Sequence, residues 1–120
     1  MLDAQGLADR YAAVWNETDS ERRRLQIAAL WVPEGRHYVG VREVLGYAQL
    51  AQRIVDSHNK NVRDGGNYFR AVKDARTLRD IVVFRWEMLP AAKDRVAAHG
   101  FIVLRVDAEG RILADYQFVL

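Results

Sequence analysis

The chain has 120 residues, half of them hydrophobic and 28% charged, which suits one domain with a single hydrophobic core. Its 18 Lys and Arg against 16 Asp and Glu leave a net charge of only +2, too little for a nucleic-acid-binding surface. The lack of cysteine excludes a disulfide framework, a zinc–thiolate site and a thiol nucleophile. Because neither a signal peptide nor a membrane-spanning run is recognisable, we expect a cytoplasmic protein that binds no membrane.

The first half of the chain has the periodicity of helices. Apolar residues at helical spacing predict a first helix from about Asp3, which is its expected N-cap. After a break at residues 16–18, Thr18 and Glu21 match a capping box that opens a second helix. This helix is expected to end at residues 31–33, because proline disfavours helix in the residue before it. Its predicted core-facing residues are Leu25, Ala28 and Ala29.

A short extended segment and a third helix complete the first half. The segment covers residues 36–39, and the helix begins near Gly46 and fades in the polar residues 59–66. We expect His58, at the end of the apolar face, to be a helix-terminal histidine favoured by the helix dipole. The basic run at residues 22–24 is expected to lie on a solvated helix face.

From residue 68 onward the period changes to two, which predicts strands. The predicted strands are residues 68–72, 81–88, 96–106 and 111–120, joined by loops at 74–80 and 89–94 and by a tight turn at 107–110. Helices followed by strands in one domain indicate an α+β fold, in which a curved sheet closes like a cone over about three N-terminal helices.

Two of these strands are apolar on both faces. Residues 81–84 and 101–104 run without alternation, so both faces of the sheet need a cover. The upstream helices can cover only one face. We therefore expect a homodimer packed through the outer sheet faces of two copies, with His99 at the interface.

Several short segments, in their order and spacing, resemble the nuclear transport factor 2-like superfamily, and within it the SnoaL-like polyketide cyclases and ketosteroid isomerases. The segments that carry this resemblance are residues 5–11, 15–19, 30–31, Gly46, 84–88 and 107–112. Together they span nearly the whole chain. The resemblance implies a single domain, residues 1–120, whose mixed or antiparallel sheet forms a cystatin-like α+β barrel. It implies no particular activity, because this fold hosts enzymes and binding modules alike.

The resemblance also implies which residues face a pocket. The candidate pocket-lining residues are Trp15, Trp31, Phe84, Trp86, Met88, Ile102, Leu113 and Gln117, of which Trp31 and Trp86 equally suit the core. Ile102 and, within a residue or two, Val39 occupy the positions at which ketosteroid isomerases carry their two carboxylates. Steroid isomerisation by that route is therefore not expected.

Three residues are candidates for acid–base chemistry. Asp115 interrupts an apolar strand on the predicted inner face, where a carboxylate needs either a partner or a chemical role. The alternative is a carboxylate at the cone mouth or paired with an arginine. His37 is the second candidate base, with a solvated edge-strand histidine as the alternative. Tyr11 matches the family's oxyanion tyrosine by resemblance, and otherwise suits a core position with a satisfied hydroxyl.

Two functions remain open. The first is a SnoaL-like small-molecule enzyme, an isomerase, cyclase or hydratase that performs acid–base chemistry on an apolar carbonyl compound without a cofactor. The second is a non-catalytic dimeric module that binds an apolar ligand or a partner protein. The missing carboxylates favour the second, and a buried Asp115 favours the first. No metal is expected, because the three histidines lie on separate elements.

Overall fold

The computed structural model describes residues 2–92 and 95–120. Its helices are α1 (Ala4–Asn16), α2 (Ser20–Leu30) and α3 (Gly46–Ser57), and α3 continues into a π-helix, His58–Arg63. Its strands are β1 (Trp31–Val39), β2 (Arg42–Leu45), β3 (Asn67–Ala71), β4 (Arg76–Leu78), β5 (Ile81–Pro90), β6 (Ala98–Val106) and β7 (Ile112–Val119). Within the described ranges, no helix is long and apolar enough to cross a membrane.

The strands form one mixed sheet in the order β2-β1-β7-β6-β5-β3, with β4 paired to β5. Strand β1 runs parallel to β7, and the other pairs are antiparallel. Helices α1 and α3 pack against the sheet and share one core with its inner face. The expected α+β architecture, a sheet over about three helices, is therefore confirmed.

The ends of the first two helices follow simple capping chemistry. Asp3 caps α1 as expected, because its carboxylate accepts a hydrogen bond from the Gly6 N–H at 2.9 Å. The predicted capping box at Thr18 is wrong by one residue, since Asp19 caps α2 and accepts from the Arg22 N–H at 2.9 Å. Glu17 accepts from the N–H groups of residues 18 and 19 instead.

The buried face of α2 also differs from the prediction. Leu25 and Ala29 are exposed and Ala28 is only partly buried, whereas Arg23, Ile27 and Leu30 are buried. Arg23 is tolerated there because its guanidinium donates to the Glu17 carbonyl at 2.6 Å. The basic run at residues 22–24 is therefore not wholly solvated.

The strands confirm the period-two segments and extend them. Strand β1 begins at Trp31, directly after α2, and includes Pro33, so the predicted helix end at residues 31–33 is strand. Strands β2 and β4 were not predicted, and β5 continues to Pro90 through part of the expected loop. Lys93 and Asp94, which end that expected loop, lie outside the described residues.

The outer face of the sheet is apolar and partly open. Tyr38 and Tyr116 stack there with ring centroids 5.1 Å apart, and Phe101 lies beside Phe118 at 6.4 Å. Val103 pairs with Tyr116 in the next strand and is only partly buried. The homodimer expected from the sequence would cover these side chains, and it stays a prediction.

Substitution of Val103 by Lys should produce a monomer, because a desolvated ammonium at the centre of the outer face opposes pairing of two copies. Sedimentation velocity at micromolar concentration measures the oligomeric state. Val41→Lys, at a fully exposed residue in the β1–β2 turn, serves as the control and should remain dimeric. A monomeric unsubstituted chain would contradict the dimer.

Candidate functional site

The parallel pairing of β1 with β7 places His37 directly beside Asp115. Both side chains have no exposed surface, and the His37 Nδ1 lies 2.5 Å from the Asp115 Oδ1. The two residues are 78 positions apart in sequence and belong to the same inner sheet face. Their contact is a buried histidine–carboxylate dyad.

Asp115 collects hydrogen bonds from three different elements. The Tyr11 hydroxyl of α1 donates to Oδ1 at 3.2 Å, and the Trp31 indole N–H at the start of β1 donates to Oδ2 at 3.1 Å. With His37 as the third partner, both carboxylate oxygens face donors, which is the arrangement that stabilises a buried acidic side chain. A carboxylate acceptor assigns the His37 proton to Nδ1 and leaves the Nε2 lone pair available.

Arg53 of α3 covers that remaining imidazole nitrogen. Its Nε–H lies 3.5 Å from His37 Nε2, and its guanidinium sits 5.2 Å from the centre of a Trp15 ring. Trp15 in turn packs against the His37 ring at 5.5 Å. Burial, and then the like charge of Arg42, lower the pKa of Arg53.

Tyr11 is held as a neutral donor. Burial is the largest cause, followed by the neighbouring Asp115 carboxylate, and together they raise the pKa of Tyr11 well above its usual range. The charge of Arg53 opposes this shift only in part. The hydroxyl proton is engaged by Asp115, so Tyr11 acts first as a support of the carboxylate.

Two neighbouring cavities lie inside the cone. The mouth cavity, of about 630 Å³, is bounded by polar residues of β2, α3 and the π-helix and by apolar residues of β3, β5 and β7. The inner chamber, of about 30 Å³, lies deeper beside Tyr11 and has room for one water-sized group. Both spaces are lined by Ser57, Phe69, Trp86 and Gln117, so the two cavities are neighbours.

Three residues that line the inner chamber carry buried polar atoms without a hydrogen-bond partner among the described residues. These atoms are the indole nitrogens of Trp15 and Trp86 and the side-chain oxygen of Gln117. The Trp86 indole lies against Gly100, where an added Cβ would meet it at 2.4 Å. Because buried polar groups are normally paired, the chamber suits a polar group of a bound molecule or a water.

The structure brings together only part of the predicted site. Tyr11, Trp15, Phe84, Ile102, Trp86 and Gln117 line the inner chamber, and Trp86, Met88 and Gln117 line the mouth. Trp31 and Leu113 line neither space: Trp31 is a buried donor to Asp115, and Leu113 lies at a register shift between β6 and β7. Asp115 and His37 lie behind the wall.

Sequence reasoning missed Arg53. An arginine on an amphipathic helix is usually solvated. The one sequence signal for partial burial of Arg53 is that it precedes Ile54, a residue of the buried helix face. His58 is the C-cap residue of α3, so its terminal position is as expected, but its side chain is buried and its Nδ1 lies 3.3 Å from the Trp15 carbonyl oxygen. Within the described ranges, no three His, Asp or Glu side chains form a group that could hold a metal ion.

Solved structures with the same architecture identify the fold. A candidate isomerase of the SnoaL-like family from Agrobacterium tumefaciens matches 99% of this chain and 99% of its own, with a TM-score of 0.84 and 24% identity. A nuclear transport factor 2-like protein of unknown function from Exiguobacterium gives 0.71 at 17% identity, over 95% of this chain and 98% of its own. A candidate polyketide cyclase from Sinorhizobium meliloti gives 0.67 at 9% identity, over 93% of each chain.

The chain therefore has the nuclear transport factor 2-like, cystatin-like α+β fold, as the sequence resemblance implied. No family model and no curated protein matches the sequence. At these identities the likeness establishes the fold alone, so any activity has to be argued from this chain's own residues.

Replacement of Asp115 by Asn should lower the free energy of unfolding by about 1–3 kcal/mol. The amide NH₂ group is itself a donor, so one of the three buried donors that now face the carboxylate would lose its acceptor. Urea denaturation followed by tryptophan fluorescence measures the loss. Asp56→Asn, at an exposed carboxylate in the mouth, is the matched control and should change stability by less than about 0.5 kcal/mol. Equal stability of Asp115→Asn and the unsubstituted protein would contradict the buried network.

Tyr11→Phe should alter the alkaline side of the stability profile. Because the folded-state pKa of Tyr11 is raised, its phenol contributes stability that is fully present below the unfolded pKa, near 10, and is lost above it. The stability difference between the unsubstituted protein and Tyr11→Phe should therefore shrink by about 1.4 kcal/mol per pH unit above that point. Denaturant titrations between neutral pH and high pH measure this difference, and a constant difference would be the contrary result.

Proposed function

We propose that the protein is a small-molecule enzyme that performs cofactor-free acid–base chemistry on a carbonyl compound bound in the cone. The observation that carries this proposal is the buried His37–Asp115 dyad, whose imidazole Nε2 meets a residue of the cavity wall. A carboxylate that orients an imidazole and stabilises its protonated form is a common way to build a general base. Two solved structures of similar fold support this chemistry. One is described as a candidate isomerase of the SnoaL-like family and the other as a candidate polyketide cyclase.

The steps follow from the positions of the side chains. The Arg53 side chain moves from His37 toward the mouth, and the freed Nε2 removes a proton from the carbon next to the substrate carbonyl. Asp115 stabilises the imidazolium that results. The carbonyl oxygen, which gains negative charge, occupies the inner chamber, where the N–H groups of Trp15 and Trp86 need an acceptor. Return of the proton to another atom of the enolate completes an isomerisation. In a cyclisation the enolate carbon instead bonds to a second carbonyl carbon of the same substrate, the C=O π bond of that carbonyl breaks, and its oxygen takes the proton from His37.

The second candidate function is ligand binding without catalysis. Its supporting observation is that His37 and Asp115 are fully buried and line neither cavity, so the dyad also suits a structural role. In that case a ligand would bind in the mouth cavity and would not contact the dyad.

Proton exchange separates the two functions. In D₂O, the protein should accelerate deuterium incorporation next to the ketone carbonyl of the neutral compounds 2-tetralone or 2-indanone, or of the keto acid 3-benzoylpropionate, measured by ¹H NMR. His37→Gln should slow the catalysed exchange by at least about 100-fold, the scale of general base catalysis. Asp115→Asn should slow it less, because the base remains but loses its orientation.

The matched control is His99→Gln, which removes an exposed imidazole outside both cavities and should leave exchange unchanged. Exchange that is no faster than in buffer for every ketone would reject the enzymatic function and favour the binding module. Full activity of His37→Gln would reject the dyad as the base.

A further inference from the structure

The mouth cavity carries an excess of positive charge. Arg42, Arg53 and Lys60 line it, and Asp56 is the sole carboxylate among its described lining residues. Within the described residues, no carboxylate oxygen lies within 4.0 Å of these three cationic groups, whereas seven other Arg and Lys side chains form ion pairs elsewhere. Cationic side chains that line a cavity and have no carboxylate partner favour binding of an anion there.

Arg53 is the best placed of the three. It is partly buried, and its known contacts are made by its Nε and by its flat face over Trp15. Neither of its terminal nitrogens has a hydrogen-bond acceptor among the described residues. A guanidinium whose two terminal NH₂ groups are free can donate one hydrogen bond to each oxygen of a carboxylate.

The opposite wall of the mouth is apolar. Phe69, Trp86 and Met88 line it, and Phe69 and Trp86 meet edge to face with centroids 6.0 Å apart. A ligand that satisfies both walls has an anionic end and a flat apolar body. The cavity volume of about 630 Å³ accommodates a two-ring compound.

We propose that the mouth cavity binds an aromatic or alicyclic carboxylic acid, with its carboxylate on Arg53 and Arg42 and its apolar body between Phe69, Trp86 and Met88. This inference rests on the proposed function for the identity of the site, and it narrows the substrate class from an apolar carbonyl compound to an acid. It also explains how the base becomes free, since a carboxylate at the mouth attracts the guanidinium that covers His37.

Isothermal titration with 2-naphthoate and its neutral isostere 2-naphthamide tests the inference. Naphthoate should bind about 10- to 100-fold more tightly, the range expected for a hydrogen-bonded charge pair in a partly buried site. Arg53→Met keeps the apolar stem and removes the charge, so the ratio of the two affinities should fall to no more than the few-fold preference that Arg42 supplies. Unchanged naphthamide affinity in this variant shows that the apolar wall is intact.

Arg42→Met, at an exposed hairpin residue, should reduce the ratio by a few-fold and provides the test if Arg53→Met fails to fold. Arg10→Met, on the exposed face of α1 and outside both cavities, is the control and should keep the full ratio. Equal affinity for the acid and the amide in the unsubstituted protein would overturn the inference, as would a full preference retained in Arg53→Met.

Binding and exchange are independent measurements. A naphthoate preference without ketone exchange would leave the acid-binding site standing and remove the enzymatic function. Ketone exchange without a preference for naphthoate would support the enzymatic function and reject the acid-binding site.

Discussion

The fold of this protein depends on how it accommodates one buried carboxylate. Asp115 has no exposed surface, and an ion in such a place costs several kcal/mol unless donors surround it. The donors come from α1, from the first residue of β1 and from the middle of β1. The first helix, the first strand and the last strand are thus joined at a single side chain, and the parallel β1–β7 pairing is the contact that makes this possible.

The same arrangement separates the interior into two parts. Behind the wall lie Asp115, His37 and Trp31, and Tyr11 joins them from the edge of the inner chamber, so that Asp115 is paired with three buried side chains. In front of it lie the chamber and the mouth, whose lining includes polar atoms without a hydrogen-bond partner and cations without a carboxylate partner among the described residues. Satisfied buried groups fix a structure, whereas unsatisfied groups beside a cavity indicate a place for a ligand.

The sequence predicted the parts of the molecule that depend on local pattern. Strands β3, β5, β6 and β7 and the start of α1 follow from periodicity and capping, and Asp115 stands out because it interrupts an apolar strand. The pairing of Asp115 with His37 could not be predicted, since it depends on the register of two strands 78 residues apart. The buried face of α2 was missed because Arg23 replaces the expected apolar residue, and its burial depends on one carbonyl of the preceding loop.

Arg53 is the physical connection between the two parts of the interior. Its Nε–H touches the buried imidazole, its flat face covers Trp15, and its terminal nitrogens remain for the cavity. A neutral imidazole beside a guanidinium is a compatible pair, whereas two cations there would repel each other. Protonation of His37 therefore disfavours the covered position of Arg53, and an anion in the mouth favours the uncovered one. In the proposed mechanism the two events support each other, so that a bound acid and a free base belong to the same state of the site.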